Sequence, residues 1–123
     1  MIQRYQDLRV YQEAYRLAIG VHKKALGFPE IERHELGSQL RRAATSIPAN
    51  IAEGYGRKNS AAEFKHFLRN ALGSANEVRV FIDMAKDLEY ISVAEHAELS
   101  QAYEALGKQL YRLIEAWQKQ SDI

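Results

Sequence analysis

Glu63-Phe64-Lys65-His66 is an E-x-x-H, a spacing that on a helix sets a carboxylate and an imidazole on one face, as di-iron bundles do. Such centres use the pair twice and add two further glutamates, and here it occurs once. Glu63 also stands three residues after Ser60, where it can return the serine's hydrogen bond in a capping box. His66 falls off the apolar seam through Phe64 and Leu68, and His22, His34 and His96 have no ligand spacing to one another. No metal site and no cofactor are expected. A second group, Arg42, Ser46, Asn50 and Glu53, could suggest a hydrolytic serine, but no histidine lies at helical spacing to act as its base. These four read instead as a hydrogen-bonded structural stripe in which Glu53 neutralises Arg42 or Arg57. No catalytic residue is expected. The third group is Arg41, Arg57, Lys58, Lys65 and Arg69, the cations with most freedom to meet phosphate. Arg42 is set apart from them because an internal partner is expected for it.

The elements that must position these groups follow from apolar spacing. Asp7 can cap a first helix whose Tyr11, Ala14, Ala18, Val21 and Ala25 recur at three and four, and which stops near Gly27. Phe28-Pro29 and the charged Glu30 to Arg33 then read as a loop. A second helix runs from about His34 to Glu53, with Leu36, Leu40, Ala43, Ala44, Ile47 and Ile51 on its core side. Pro48 lies inside it and costs roughly 3 kcal/mol there. Ile47 would cap a new helix poorly, so one kinked, continuous helix is the better reading. Its third side, Arg41, Thr45, Pro48 and Ala52, is small apart from the arginine and admits close approach of a neighbour. Gly54, Gly56, Asn59 and Ser60 mark the next turn.

Ser60-Ala61-Ala62-Glu63 and Ser92-Val93-Ala94-Glu95 are capping boxes that open a third and a fourth helix. Phe64, Leu68, Ala71, Ala75, Val78, Ile82 and Ala85 alternate four and three along the third, and Leu99, Tyr103, Leu106, Leu110, Leu113 and Trp117 do so along the fourth. Phe67 and Phe81 widen the third helix's apolar arc, and Tyr11, Tyr15 and Tyr111 add aromatic area that a four-helix core need not absorb. Short connections around Gly54 to Ser60 and Glu89 to Ile91 require antiparallel neighbours. The expected architecture is all-α, an antiparallel up-down-up-down four-helix bundle with over two thirds of the residues helical. With 123 residues and 46% hydrophobic content, residues 1–123 suffice for a single domain with one core.

The run Ser38-Gln39-Leu40-Arg41-Arg42-Ala43-Ala44, then Ser46-Ile47-Pro48-Ala49-Asn50-Ile51-Ala52-Glu53-Gly54, with Phe67-Leu68, Ala71 and Gly73-Ser74 further on, closely resembles the 23S rRNA intervening-sequence proteins. The resemblance extends from about Tyr5 to Trp117. It implies a four-helix bundle and no chemistry. That family is similar in turn to the accessory proteins of diversity-generating retroelements, which are pentameric and basic and partner a reverse transcriptase and nucleic acid. The resemblance therefore implies self-association as a homopentamer and a place near RNA or DNA, with a reverse transcriptase or another ribonucleoprotein component as a partner.

Lysine plus arginine total 17 against 16 acidic residues, a net charge of +1, so the whole chain carries no nucleic-acid footprint. Its distribution is uneven. Arg41 to Arg69 holds Arg41, Arg42, Arg57, Lys58, Lys65 and Arg69 against Glu53 and Glu63, whereas from Glu77 to Glu104 seven carboxylates face only Arg79 and Lys86. Repeated around a ring, a modest basic patch becomes a belt that a phosphate backbone can track. The absence of cysteine removes disulfide, thiolate and cysteine-based metal chemistry. Without a signal-like apolar start or ~20 successive apolar residues, the chain reads as cytoplasmic, with no membrane partner. The expected role is a non-enzymatic accessory factor that binds nucleic acid or ribonucleoprotein. A protein-interaction scaffold and a small metallo-bundle enzyme are the alternatives.

Overall fold

Apolar residues at alternating steps of four and three build long helices here, and the computed structural model describes them over residues 1–121. A 3-10 turn at Tyr5–Asp7 precedes α1 (Arg9–Ala25), α2 (Glu30–His34), α3 (Leu36–Gly56), α4 (Ala61–Asp87) and α5 (Val93–Ser121). Helix, with the 3-10 turn included, accounts for 84% of the described residues, and no strand occurs among them. The core stripe expected on α3 is buried throughout, from Leu36 to Ile51. The seams of α4 and of α5 as far as Leu110 are buried with it, while Leu113 and Trp117 pack partly buried against the same cluster. Phe64, fully buried, has Tyr55 on one side with ring centroids 6.3 Å apart and Trp117 on the other at 4.7 Å, both edge to face. Phe67 and Phe81 are half-buried at the edge of the core.

Three local expectations need correction. Asp7 does not cap α1. Leu8 holds that position with no side-chain bond, and Asp7 Oδ2 instead accepts the N–H groups of Gln3 at 3.0 Å and Arg4 at 3.3 Å, closing the 3-10 turn. Residues 30–34 are not loop but the short α2, for which Pro29 presets the backbone and Glu30 and Glu32 suit the first turn. Gly54 and Gly56 do not stop α3 before them. Both lie within the helix, and Arg57 is the cap that follows. The expectation of one unbroken helix through Pro48 holds.

Gly54 is buried because α4 leaves no room for a side chain there. A Cβ built on it would stand 2.8 Å from Phe67 Cβ and 3.1 Å from Phe64 Cδ1. The small side of α3 meets α1 in the same chain, and Tyr15, Ala18 and Ile19 of α1 line an apolar hollow with Thr45 and Pro48. Burial is less favourable at Tyr103, whose hydroxyl is enclosed with no hydrogen-bond partner among the described residues and whose phenol is pushed upward in pKa by burial.

Lys24 joins the first helix to the last through Glu95, at 2.8 Å. The Ser92 box is reciprocal: Glu95 N–H meets Ser92 Oγ at 3.0 Å, and Ser92 N–H meets Glu95 Oε1 at 2.9 Å. The Lys24 hydrogen bond, followed by the Ser92 backbone, lowers the Glu95 carboxyl from 4.5 to about 2. A depressed carboxyl stabilises the fold above its unfolded pKa, and that contribution is lost as pH falls through its folded value. Glu95 should therefore contribute fully above about pH 4.5 and lose its contribution by about pH 2. Because its side chain is 43% exposed, screening reduces that contribution to about 1 kcal/mol. Urea unfolding at successive pH values should give Glu95→Gln a flatter stability curve across this window than the parent protein. Parallel curves would mean that the ion pair contributes nothing.

Candidate nucleic-acid interface

The five cations expected at a phosphate surface are spread along the length of the bundle. Arg41 lies in the second turn of α3 and Arg57 just past its end, so 16 residues separate them by roughly 24 Å along the helix. Lys65 and Arg69 stand one turn apart in the first half of α4, near the end of the bundle where Arg57 and Lys58 lie. Arg57 is already matched by charge. It meets Glu53 at 2.9 Å and Glu63 at 3.3 Å, lies 5.3 Å over the Phe67 ring, and has its pKa raised first by the Glu53 hydrogen bond. Lys58 Nζ sits 4.1 Å over the Tyr55 ring. Arg69 is exposed and Lys65 half-buried.

The Ser60 box is correspondingly half made. Ser60 Oγ accepts Glu63 N–H at 3.2 Å, but the Ser60 N–H is taken by Arg57 O at 3.0 Å and the Glu63 carboxylate turns to Arg57. Glu63 and His66 consequently do not converge, and His66 Nε2 instead meets Asn70 Nδ2 at 3.4 Å. Among the described residues no group of three or more His, Cys, Asp or Glu side chains comes together as metal ligands would. His96 Nε2 meets Asp83 Oδ1 at 2.6 Å, tying α5 to α4.

The polar stripe on α3 is hydrogen-bonded only in part. Asn50 Nδ2 donates to Ser46 O at 2.8 Å and to Ser46 Oγ at 2.9 Å, and Ser46 Oγ meets Ser74 Oγ of α4, also at 2.9 Å. Ser74 is the buried partner that a helical projection of α3 could not supply. Arg42 is the correction. It is exposed, and no hydrogen bond or ion pair engages it among the described residues, because Glu53 lies three turns further on and binds Arg57.

Arg42 instead stands between a hollow that it lines with Glu77 and Phe81 of α4 and a basic corner where α1, α2 and α3 meet. Two adjoining open hollows of about 450 and 420 Å³ are lined there by His22 and Lys23 from α1, Arg33 and His34 from α2, and Arg41 and Arg42 from α3. No carboxylate is among their lining residues. Arg41 Nη2 donates to Arg33 O at 3.0 Å, Arg33 Nε to Phe28 O at 3.0 Å, and His22 Nε2 meets Thr45 Oγ1 at 3.0 Å. Lys23 and Arg42 are the outward cations. Guanidinium groups in such a setting can take phosphate oxygens in pairs. The available signal was three basic dipeptides, His22-Lys23, Arg33-His34 and Arg41-Arg42, but each belongs to a different helix and only packing brings them together.

With this geometry in place, the profile of the 23S rRNA-intervening sequence proteins matches residues 6–112. The chain belongs to the 23S rRNA-intervening sequence protein family. Among solved structures it is similar to a protein of unknown function from the S23 ribosomal protein family of Bacteroides thetaiotaomicron, at 26% identity and a TM-score of 0.76, covering 85% of this chain and 97% of that one. No curated protein matches significantly. As a member of the intervening-sequence family, the chain has among its described residues no helix long and apolar enough to cross a membrane.

Proposed function

We propose that this chain is a non-enzymatic accessory factor of the cytoplasm that assembles with copies of itself and holds RNA or DNA through the phosphate backbone. The observation that carries this reading is the basic corner, six cationic or imidazole side chains from three helices lining two hollows without a carboxylate. Family membership, with rRNA in the family's description, supports the choice of nucleic acid over another polyanion. A homopentamer and a reverse-transcriptase or ribonucleoprotein partner extend the resemblance to retroelement accessory proteins. We also infer that the four long helices run up-down-up-down within a single domain, since turns of four and five residues join α3 to α4 and α4 to α5. The exposed apolar strip of Tyr15 and Ile19 beside Pro48 suits self-association and also favours the second reading, a protein-interaction scaffold.

Fluorescence anisotropy with labelled RNA and DNA at about 50 mM salt tests the reading, since phosphate binding is strong at low ionic strength. The expected result is sequence-independent binding whose logarithm falls with that of salt by about 0.7 to 0.9 per neutralised phosphate. Absence of binding at that salt would leave the scaffold. Light scattering on the same samples counts the copies, and a monomer at micromolar concentration would remove the assembly.

A further inference from the structure

A second groove, of about 390 Å³, runs between α4 and α5 on surface that sequence charge alone marks as acidic. Its floor is Leu72 and Gly107, where a Cβ on the glycine would lie 3.6 Å from Leu72 Cδ1, an ordinary contact. Arg79 from α4 and Arg112 from α5 border it, and no hydrogen bond or ion pair engages either among the described residues. Lys108, held loosely by Glu104 at 3.5 Å, adds a third cation. Arg79 thus stands beside two cations of α5, with Glu104 of the same acidic stretch lining the groove among them. Tyr111 completes the wall, 58% exposed.

An exposed aromatic ring beside unpaired guanidinium groups offers a flat π surface and anion donors at once. That combination recognises a base together with its phosphate, the arrangement by which proteins hold single strands. The exposed amide of Asn76 adds a donor and an acceptor for a base edge. The groove volume lies within the range of small-ligand sites. From the juxtaposition of Tyr111 with Arg79 and Arg112 across the α4–α5 groove, we infer that this groove is a nucleotide subsite, in which a base of a single strand stacks on Tyr111 and its phosphate meets the two arginines. The inference rests on the proposed nucleic-acid reading and adds a preference for unpaired strands, which phosphate contacts at the α1–α2–α3 corner alone would not produce.

The test compares a labelled single strand of about 16 nucleotides, the upper end of common single-strand site sizes, with a blunt duplex of the same length. Both are titrated against the parent protein, Tyr111→Ala, Tyr111→Phe and Gly107→Leu, with adenosine monophosphate as competitor in a separate arm. Tyr111→Ala should weaken single-strand binding roughly tenfold, the scale of one lost stack, and leave duplex binding unchanged. Tyr111→Phe keeps the ring and should bind as the parent does, and Gly107→Leu should act like Tyr111→Ala by filling the floor. Competition by the mononucleotide that disappears in Tyr111→Ala would assign the groove to free nucleotides as well as strands. Single-strand affinity unchanged in Tyr111→Ala would overturn the subsite while leaving the basic corner standing. A change in the number of copies with Tyr111→Ala would make the ring an assembly contact and overturn it too. Failure of the parent protein to bind any strand or the mononucleotide would overturn this inference along with the function on which it rests.

Discussion

Gly54→Val should destabilise the protein by about 2 to 3 kcal/mol, the upper part of the range for overfilling a packed interior. The position is buried on α3, and its first side-chain atom would stand 2.8 Å from Phe67 Cβ and 3.1 Å from Phe64 Cδ1. Phe67 Cβ is fixed to the α4 backbone and cannot swing aside as the tip of a side chain could. Relief requires the two helices to separate, which would loosen Phe64 from Tyr55 and Trp117. Valine recovers only a few tenths of a kcal/mol in helix propensity over glycine. Gly73→Ala is the opposite case. A Cβ there meets nothing within 4 Å, so the variant should gain up to about 1 kcal/mol from propensity alone. Urea or thermal unfolding of the two variants beside the parent checks both signs. Equal stabilities for Gly54→Val and the parent would mean that α3 and α4 are not in close contact at this turn.

Lys23→Glu/Arg42→Glu should reduce nucleic-acid affinity at least tenfold at about 50 mM salt and lower the salt slope by about two phosphate equivalents. Both side chains are exposed at the basic corner, and neither is engaged by a hydrogen bond or ion pair among the described residues, so charge reversal should leave the fold intact. Arg57→Glu/Lys58→Glu should do less to binding and more to stability. Arg57 already sits between Glu53 and Glu63, and a third carboxylate there would repel both. Anisotropy titrations with circular dichroism melts separate the two effects. A larger binding loss from the Arg57 and Lys58 pair would move the interface to the α3–α4 turn.

The seams of α4 and α5 were legible because one-sided burial imposes a fixed period on a helix, and every seam residue from Phe64 to Ala85 is buried. Gly54 was not, since a glycine near a helix end reads equally well as a stop or as a place of close approach, and only the partner helix decides. The α2 turn was hidden by Pro29 and a run of charges, which suit either a loop or the first turn of a helix. Arg42 was misplaced for a related reason. A helical projection lists neighbours within one helix, whereas Ser46 finds its partner in Ser74 on α4 and Arg42 shares a hollow with His22 on α1.

Pro48 removes the amide that would have met the Ala44 carbonyl, so the backbone ladder of α3 has a missing rung midway along its 21 residues. The Ser46–Ser74 bond, with Asn50 reaching back to Ser46, spans that same turn from outside the ladder. It acts as a splint. The segment bearing Arg41 and Arg42 and the segment bearing Gly54 are joined by a ladder one rung short, with two hydroxyls and an amide beside the gap. Amide hydrogens on the two sides of Pro48 should therefore exchange as separate units, with the corner-bearing half opening at lower cost than the half clamped against Phe67. The surface proposed to follow a phosphate chain would then be compliant, while the packing that holds the bundle together stays rigid.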